Sequence, residues 1–192
     1  MKLICGRRLV LVLSTAVFAA LAGCAGWIDR QARSEFLRSL GQTSITVFPA
    51  FIREGPRGSY DERAATEIAA FLKGERLADA SAAIGQVPID QPWHRNQARM
   101  LRESAQAFSA YLRAHPTGTQ YALMAEYLTG GKRRVVGIHC YVVKANGTPA
   151  VAFLLNSHHK AFSRAKLKEP ADCTAVVIQV LRDTLKPAGR AR

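Results

Sequence analysis

A chain of 192 residues has room for one domain with a real core, and its hydrophobic share of 48% is that of a globular chain. The formal charge of +13 points to an anionic partner, or to a basic surface that is simply solvated. The chain carries no Walker loop, no dinucleotide fingerprint and no CxxC pair, which leaves nucleotide and dithiol chemistry without a motif.

The first 24 residues set the address. Lys2, Arg7 and Arg8 give a positive start, and residues 9–20 give an apolar stretch broken only by Ser14 and Thr15. A comfortable membrane span needs about 20 apolar residues, so this run reads as a removable export signal. Small residues then lead to a cysteine: Leu21, Ala22, Gly23, Cys24. These four positions resemble the lipobox of bacterial lipoproteins. The resemblance implies lipid transfer to the Cys24 thiol, cleavage before it and acylation of the new amino terminus. Ala25 follows, with no aspartate there, and by the same resemblance the expected location is the outer membrane, facing the periplasm, with the inner membrane as the alternative. Several acyl chains on one residue give stable anchoring, at about 0.8 kcal/mol per buried CH2.

Removal of Lys2, Arg7 and Arg8 leaves a mature chain of about +10. In the envelope the anionic partners on offer are lipid headgroups, lipopolysaccharide, acidic polysaccharide or an acidic protein. Export argues against nucleic acid. Cys5 leaves with the signal and Cys24 is lipidated, so Cys140 and Cys173 remain, in a compartment where disulfides persist. They read either as one bridge or as two buried thiols.

Residues 24–42 read as a lipidated tether, in which 32–40 forms a short docked helix or a mobile stalk. Residues 43–52 read as the first strand, with Ile45, Val47 and Pro49 on one face and Thr46, Phe48 and Ala50 on the other. Pro49 lacks an N–H and belongs near a strand end or an edge. Residues 54–58 read as a loop. Ser59 with Glu62 fits a capping box for a helix over Ala64, Ala65, Ile68, Ala69, Phe71 and Leu72, ending near Gly74 or reaching Leu77. Residues 79–85 give a short edge strand or a turn, and 86–93 a loop. A second helix is expected over 95–114, because Leu101, Ala105, Phe108 and Leu112 recur as a stripe; His115 and Pro116 stop it.

The period then changes. Residues 121–128 alternate as a strand, Gly130 and Gly131 turn the chain, and 135–144 is a second strand with Val136, Ile138, Cys140 and Val142 on one face. Asn146-Gly147 is a two-residue hairpin turn in which both positions accept positive φ. Residues 149–156 return as a third strand, and pairing across the turn sets His139 opposite Leu154. A basic loop covers 157–170, and a last helix runs over 171–185 with the stripe Cys173, Val177, Val180, Leu181 and Thr184. The expected fold class is therefore α+β: a mixed sheet of about four to five strands, including a C-terminal three-stranded antiparallel meander, packed with about three helices on one or both faces. Residues 43–186 form the single domain and 187–192 a basic tail.

This order of elements is similar to the periplasmic sandwich domains of outer-membrane lipoproteins: the curli-export CsgG type, the TolB amino-terminal domain and the penicillin-binding-protein activator LpoB. Those domains open on a strand of hydrophobic-Val-hydrophobic-Pro-Phe pattern. Ile45-Thr46-Val47-Phe48-Pro49-Ala50-Phe51 resembles it, with Ala50 inserted before the phenylalanine. The late hairpin around Asn146-Gly147 resembles theirs too. The resemblance implies an accessory or assembly protein without an active site, able to form oligomers.

His139, His158 and His159 do not suit a metal, because His139 falls opposite Leu154 and adjacent strand residues point to opposite faces. No metal and no cofactor is expected. Ser157 has no nucleophile elbow and no acid partner at a useful spacing, so a small periplasmic hydrolase collecting Ser157, His158 or His139 is the alternative and not the first reading. Asp61 and Glu62 open a helix, where acids suit the dipole. The better candidate is a basic patch. Lys132, Arg133 and Arg134 start one strand, and Lys160, Arg164, Lys166 and Lys168 follow the return strand, so both clusters come to one end of the meander. The expectation is a non-catalytic, lipid-anchored binding, accessory or assembly factor of the envelope, with a lipid- or polysaccharide-binding module as a further alternative.

Overall fold

The computed structural model describes residues 27–54, 57–89, 93–131 and 134–185. The elements in order are helix α1 (Arg30–Ser39), strands β1 (Ser44–Val47), β2 (Ala50–Glu54) and β3 (Arg57–Asp61), helix α2 (Glu62–Gly74), strand β4 (Asp79–Ala82) and helix α3 (Gln97–Ala114). The meander β5 (Tyr121–Thr129), β6 (Val135–Lys144) and β7 (Pro149–Leu155) follows, then helix α4 (Lys160–Ala165), a 3-10 turn (Pro170–Asp172) and helix α5 (Cys173–Leu185). The molecule is α+β, with one mixed sheet carrying helices on both faces. None of the described helices is long and apolar enough to cross a membrane.

The expected first strand is two strands on one line. β1 runs parallel to β5 with Val47 beside Leu123. β2 continues parallel to β5 with Phe51 beside Glu126, so four steps on one strand answer three on the other. The extra residue is a bulge at Phe48-Pro49, where a proline costs no ladder bond, and Phe48 N still donates to Leu123 O at 2.8 Å. The bulge reverses the alternation after Pro49. Ala50 joins Ile45 and Val47 on one face, while Phe48 and Phe51 share the other, against the simple alternation expected for 43–52.

The outer side of this line is covered by β4, parallel to β1, and by β3, antiparallel to β2. Residues 57–61 are therefore a strand and not a loop leading to a helix cap. Gly58 is required there, since a Cβ on it would lie 2.1 Å from the Phe51 ring. The capping box of Ser59 and Glu62 does not form. Asp61 caps α2 instead, its carboxylate accepting from Ala64 N at 3.2 Å.

β5, β6 and β7 pair as the antiparallel meander, with His139 opposite Leu154 as the sequence implies. The turn differs from expectation: Gly147 has φ 84°, and Asn146 is not in the left-handed region. Gly147 N donates to Lys144 O and Lys144 N to Thr148 O, a turn one residue longer than the two-residue form, and a register shift at Val142/Val143 takes up the difference. β5 is buried at all nine positions, because it lies inside the sheet with helices on both sides.

Two cores result. On one face α1, α2 and α5 cover Ile45, Val47, Tyr127, Ile138 and Cys140. On the other, the α3 stripe of Leu101, Ala105, Phe108 and Leu112 packs with Phe48, Phe51, Met124 and Tyr141. α1 is docked: Asp29 caps it by accepting from Gln31 N and Ala32 N, Phe36 is 0% exposed, and Lys144 reaches Glu35 at 2.7 Å. Cys140 and Cys173 are free thiols, both buried in the core of that first face, so the structure shows the two-thiol arrangement and not the bridge. Burial pushes both up to about 12, which leaves them protonated and inert at neutral pH.

Candidate functional site

The segment 157–170, expected as a basic loop, contains α4. His159 caps it: its ring Nδ1 accepts from Ala161 N at 3.2 Å, a role open only to the neutral ring, and burial lowers its pKa accordingly. Lys166 ends the helix in the left-handed conformation, with φ 49°, and turns the chain sharply back toward α5. Asp172 fixes the return, accepting from Lys168 N at 2.9 Å and Glu169 N at 3.2 Å; these backbone hydrogen bonds hold its carboxyl below the usual range.

The result is an open groove of about 1050 Å3 between α4 and α5. Lys160, Arg164, Lys166 and Lys168 all line it and are all exposed. Its apolar lining comes from residues such as Leu167, Ala175 and Val176, and among the described residues the acids lining it are Asp172 and Asp183. Of the other proposed cluster, Arg134 is exposed beside β6, while Lys132 and Arg133 lie outside the described residues, as does Cys24. Among the described residues, the cations of the groove come from the second cluster.

A second polar assembly was not legible from the sequence. Under α3, Arg53 of β2, Glu126 of β5 and His139 of β6 meet inside the core, with exposures of 2%, 0% and 0%. Glu126 Oε1 accepts from Arg53 Nη2 at 3.3 Å, and Glu126 Oε2 is 2.9 Å from His139 Nδ1. Ser104 of α3 adds a hydroxyl, 3.4 Å from Arg53 Nη2. Burial pushes the Glu126 carboxyl up, but the His139 hydrogen bond, the charges of His139 and Arg53, and the Ser104 hydroxyl outweigh it, so the net direction is down. The neighbouring Tyr141 hydroxyl is fully buried, and burial raises its pKa well above the ordinary value.

This geometry does not assemble the hydrolase constellation. His139 is enclosed beneath α3, whereas Ser157 and His158 stand exposed beyond the end of β7. Ser104 contacts the Arg53–Glu126 pair, which is an arrangement for holding charge and not for activating a nucleophile. Among the described residues no group of histidine, cysteine and acidic side chains is placed to hold a metal. Neither a protein-family model nor a curated protein sequence matches the chain.

Proposed function

We propose that this protein is a non-catalytic binding or accessory factor of the bacterial cell envelope, anchored to the outer membrane through Cys24, and that the α4–α5 groove is its binding surface. The observation that carries the reading is the groove itself: four exposed cations line one depression whose only acids among the described residues are Asp172 and Asp183, one of them already engaged by backbone N–H groups. Such a surface attracts anions over a Debye length of about 8 Å at physiological salt. The likeness of the lipobox and of the early β-strand motif to envelope lipoproteins supports the same reading.

The test is capture of the native lipoprotein from crosslinked envelopes, alongside a Lys160→Ala, Arg164→Ala, Lys168→Ala variant. A component retained by the native protein and lost from the variant, more weakly as salt rises, supports the proposal. Equal recovery with both proteins and with an unrelated lipid-anchored control sinks it.

A further inference from the structure

We infer that the α4–α5 face lies on the headgroup layer of the membrane that holds the anchor, so that the groove's anionic partner is the lipid phosphate surface. The inference deepens the function proposed above and rests on its assignment of Cys24 as the lipidated residue.

The first observation is how few residues separate Cys24 from the folded body. α1 is not a stalk: it is capped by Asp29 and buries Ala32 and Phe36 in the core. Trp27 and Ile28 already lie against the body, so from Cys24 to Trp27 the chain reaches at most about 11 Å, even fully extended. The folded body is therefore held close to the bilayer, and the side from which the chain leaves must face it.

The second observation is which side that is. Ile28 and Arg33, at the start of α1, line a cleft of about 270 Å3 together with His159 and with Val180 and Thr184 of α5. His159 also lines the basic groove, and α5 contributes to both depressions. The cleft beside the chain exit and the groove thus adjoin at His159, with Trp27 resting on the α3 core at the far flank of the cleft. The linings of the two depressions carry Arg33 from α1 and Lys160, Arg164, Lys166 and Lys168 from α4 and the turn after it, all exposed, against the acids Asp172 and Asp183.

The two observations combine through electrostatics. Cations held within a Debye length of an anionic leaflet each strengthen attachment about five-fold. An acyl anchor with a polybasic surface is a two-point attachment, and the second point fixes orientation where the first fixes only distance. A soluble acidic protein or glycan would need the groove to face away from the bilayer, against the position of the chain exit.

The experiment uses the acylated, purified protein in vesicles of phosphatidylcholine alone and of phosphatidylcholine with about one third phosphatidylglycerol. A fluorophore is placed on Ser163→Cys, on exposed α4; the buried Cys140 and Cys173 do not compete for the label. Lipids carrying a headgroup quencher report contact. Quenching on the anionic vesicles that falls about ten-fold or more in high salt, and likewise in the Lys160→Ala, Arg164→Ala, Lys168→Ala variant, supports the inference. A protein that floats with both vesicle types but is never quenched overturns the membrane-facing surface, leaves the anchor standing and gives the groove to a soluble partner. A protein whose mass lacks lipid on Cys24, and which floats with neither, overturns the anchor and this inference with it.

Discussion

Glu126→Gln isolates the buried ion network. The substitution keeps shape and removes the one carboxylate charge that faces both Arg53 and His139 inside the core, where Arg53 is 2% exposed. Removing one member of a buried pair costs about 3–5 kcal/mol, chiefly because the other charge stays desolvated. With a urea slope of about 2 kcal/mol per molar, the unfolding midpoint falls by roughly 2 M. The pH dependence has a definite sign. The Glu126 carboxyl titrates lower in the folded protein than its unfolded value of about 4.3, so its stabilisation is complete above that value and is lost as pH falls through the folded one. The gap in stability between native protein and variant is therefore widest near neutral pH and closes in acid. Other depressed carboxyls, such as Asp172, are common to both proteins and cancel in the comparison. Urea melts of both proteins from pH 7 to pH 3 make the measurement. Equal midpoints at pH 7, or a gap that stays constant down to pH 3, would refute the reasoning.

Two further outcomes check the fold. Asp61→Ala removes the cap of α2 and lowers stability by about 1 kcal/mol, whereas Ser59→Ala leaves the thermal midpoint within error; the reverse ranking would restore the capping box that the structure lacks. Cys140 and Cys173 resist a thiol reagent in the folded protein near neutral pH and both react in urea without reductant, and failure to label either in urea would mean they are bridged.

The meander was legible because each of its strands is a sustained apolar run and because Asn146-Gly147 fixes where the chain reverses. Even so, the turn and the shift at Val142/Val143 are each one residue away from the simple hairpin, and the register agrees only because they cancel. β3 and β4 were poorly legible for a different reason. Arg-Gly-Ser-Tyr-Asp and Asp-Ala-Ser-Ala have little intrinsic preference for extended structure, and they become strands by pairing with β2 and β1. The basic groove could be counted from the sequence, but α4, which shapes it, is a six-residue helix set by the His159 cap. The ion network left one trace, a lone carboxylate in the run Tyr-Ala-Leu-Met-Ala-Glu-Tyr-Leu. Its partner Arg53 is 73 residues away, beyond the reach of any local pattern.

That network also disciplines assembly. Side chains on a strand alternate, so sliding β6 by one residue against β5 would send His139 among the aliphatic side chains under α2 and α5 and set Ile138 or Cys140 beside Glu126. An apolar strand tolerates such an error at modest cost, since one branched aliphatic replaces another. Here the mistake separates a carboxylate from its imidazole at positions closed to solvent. The three ionisable residues thus act as a key on a central seam, rejecting the near-native pairings that an all-apolar sheet of this kind would accept.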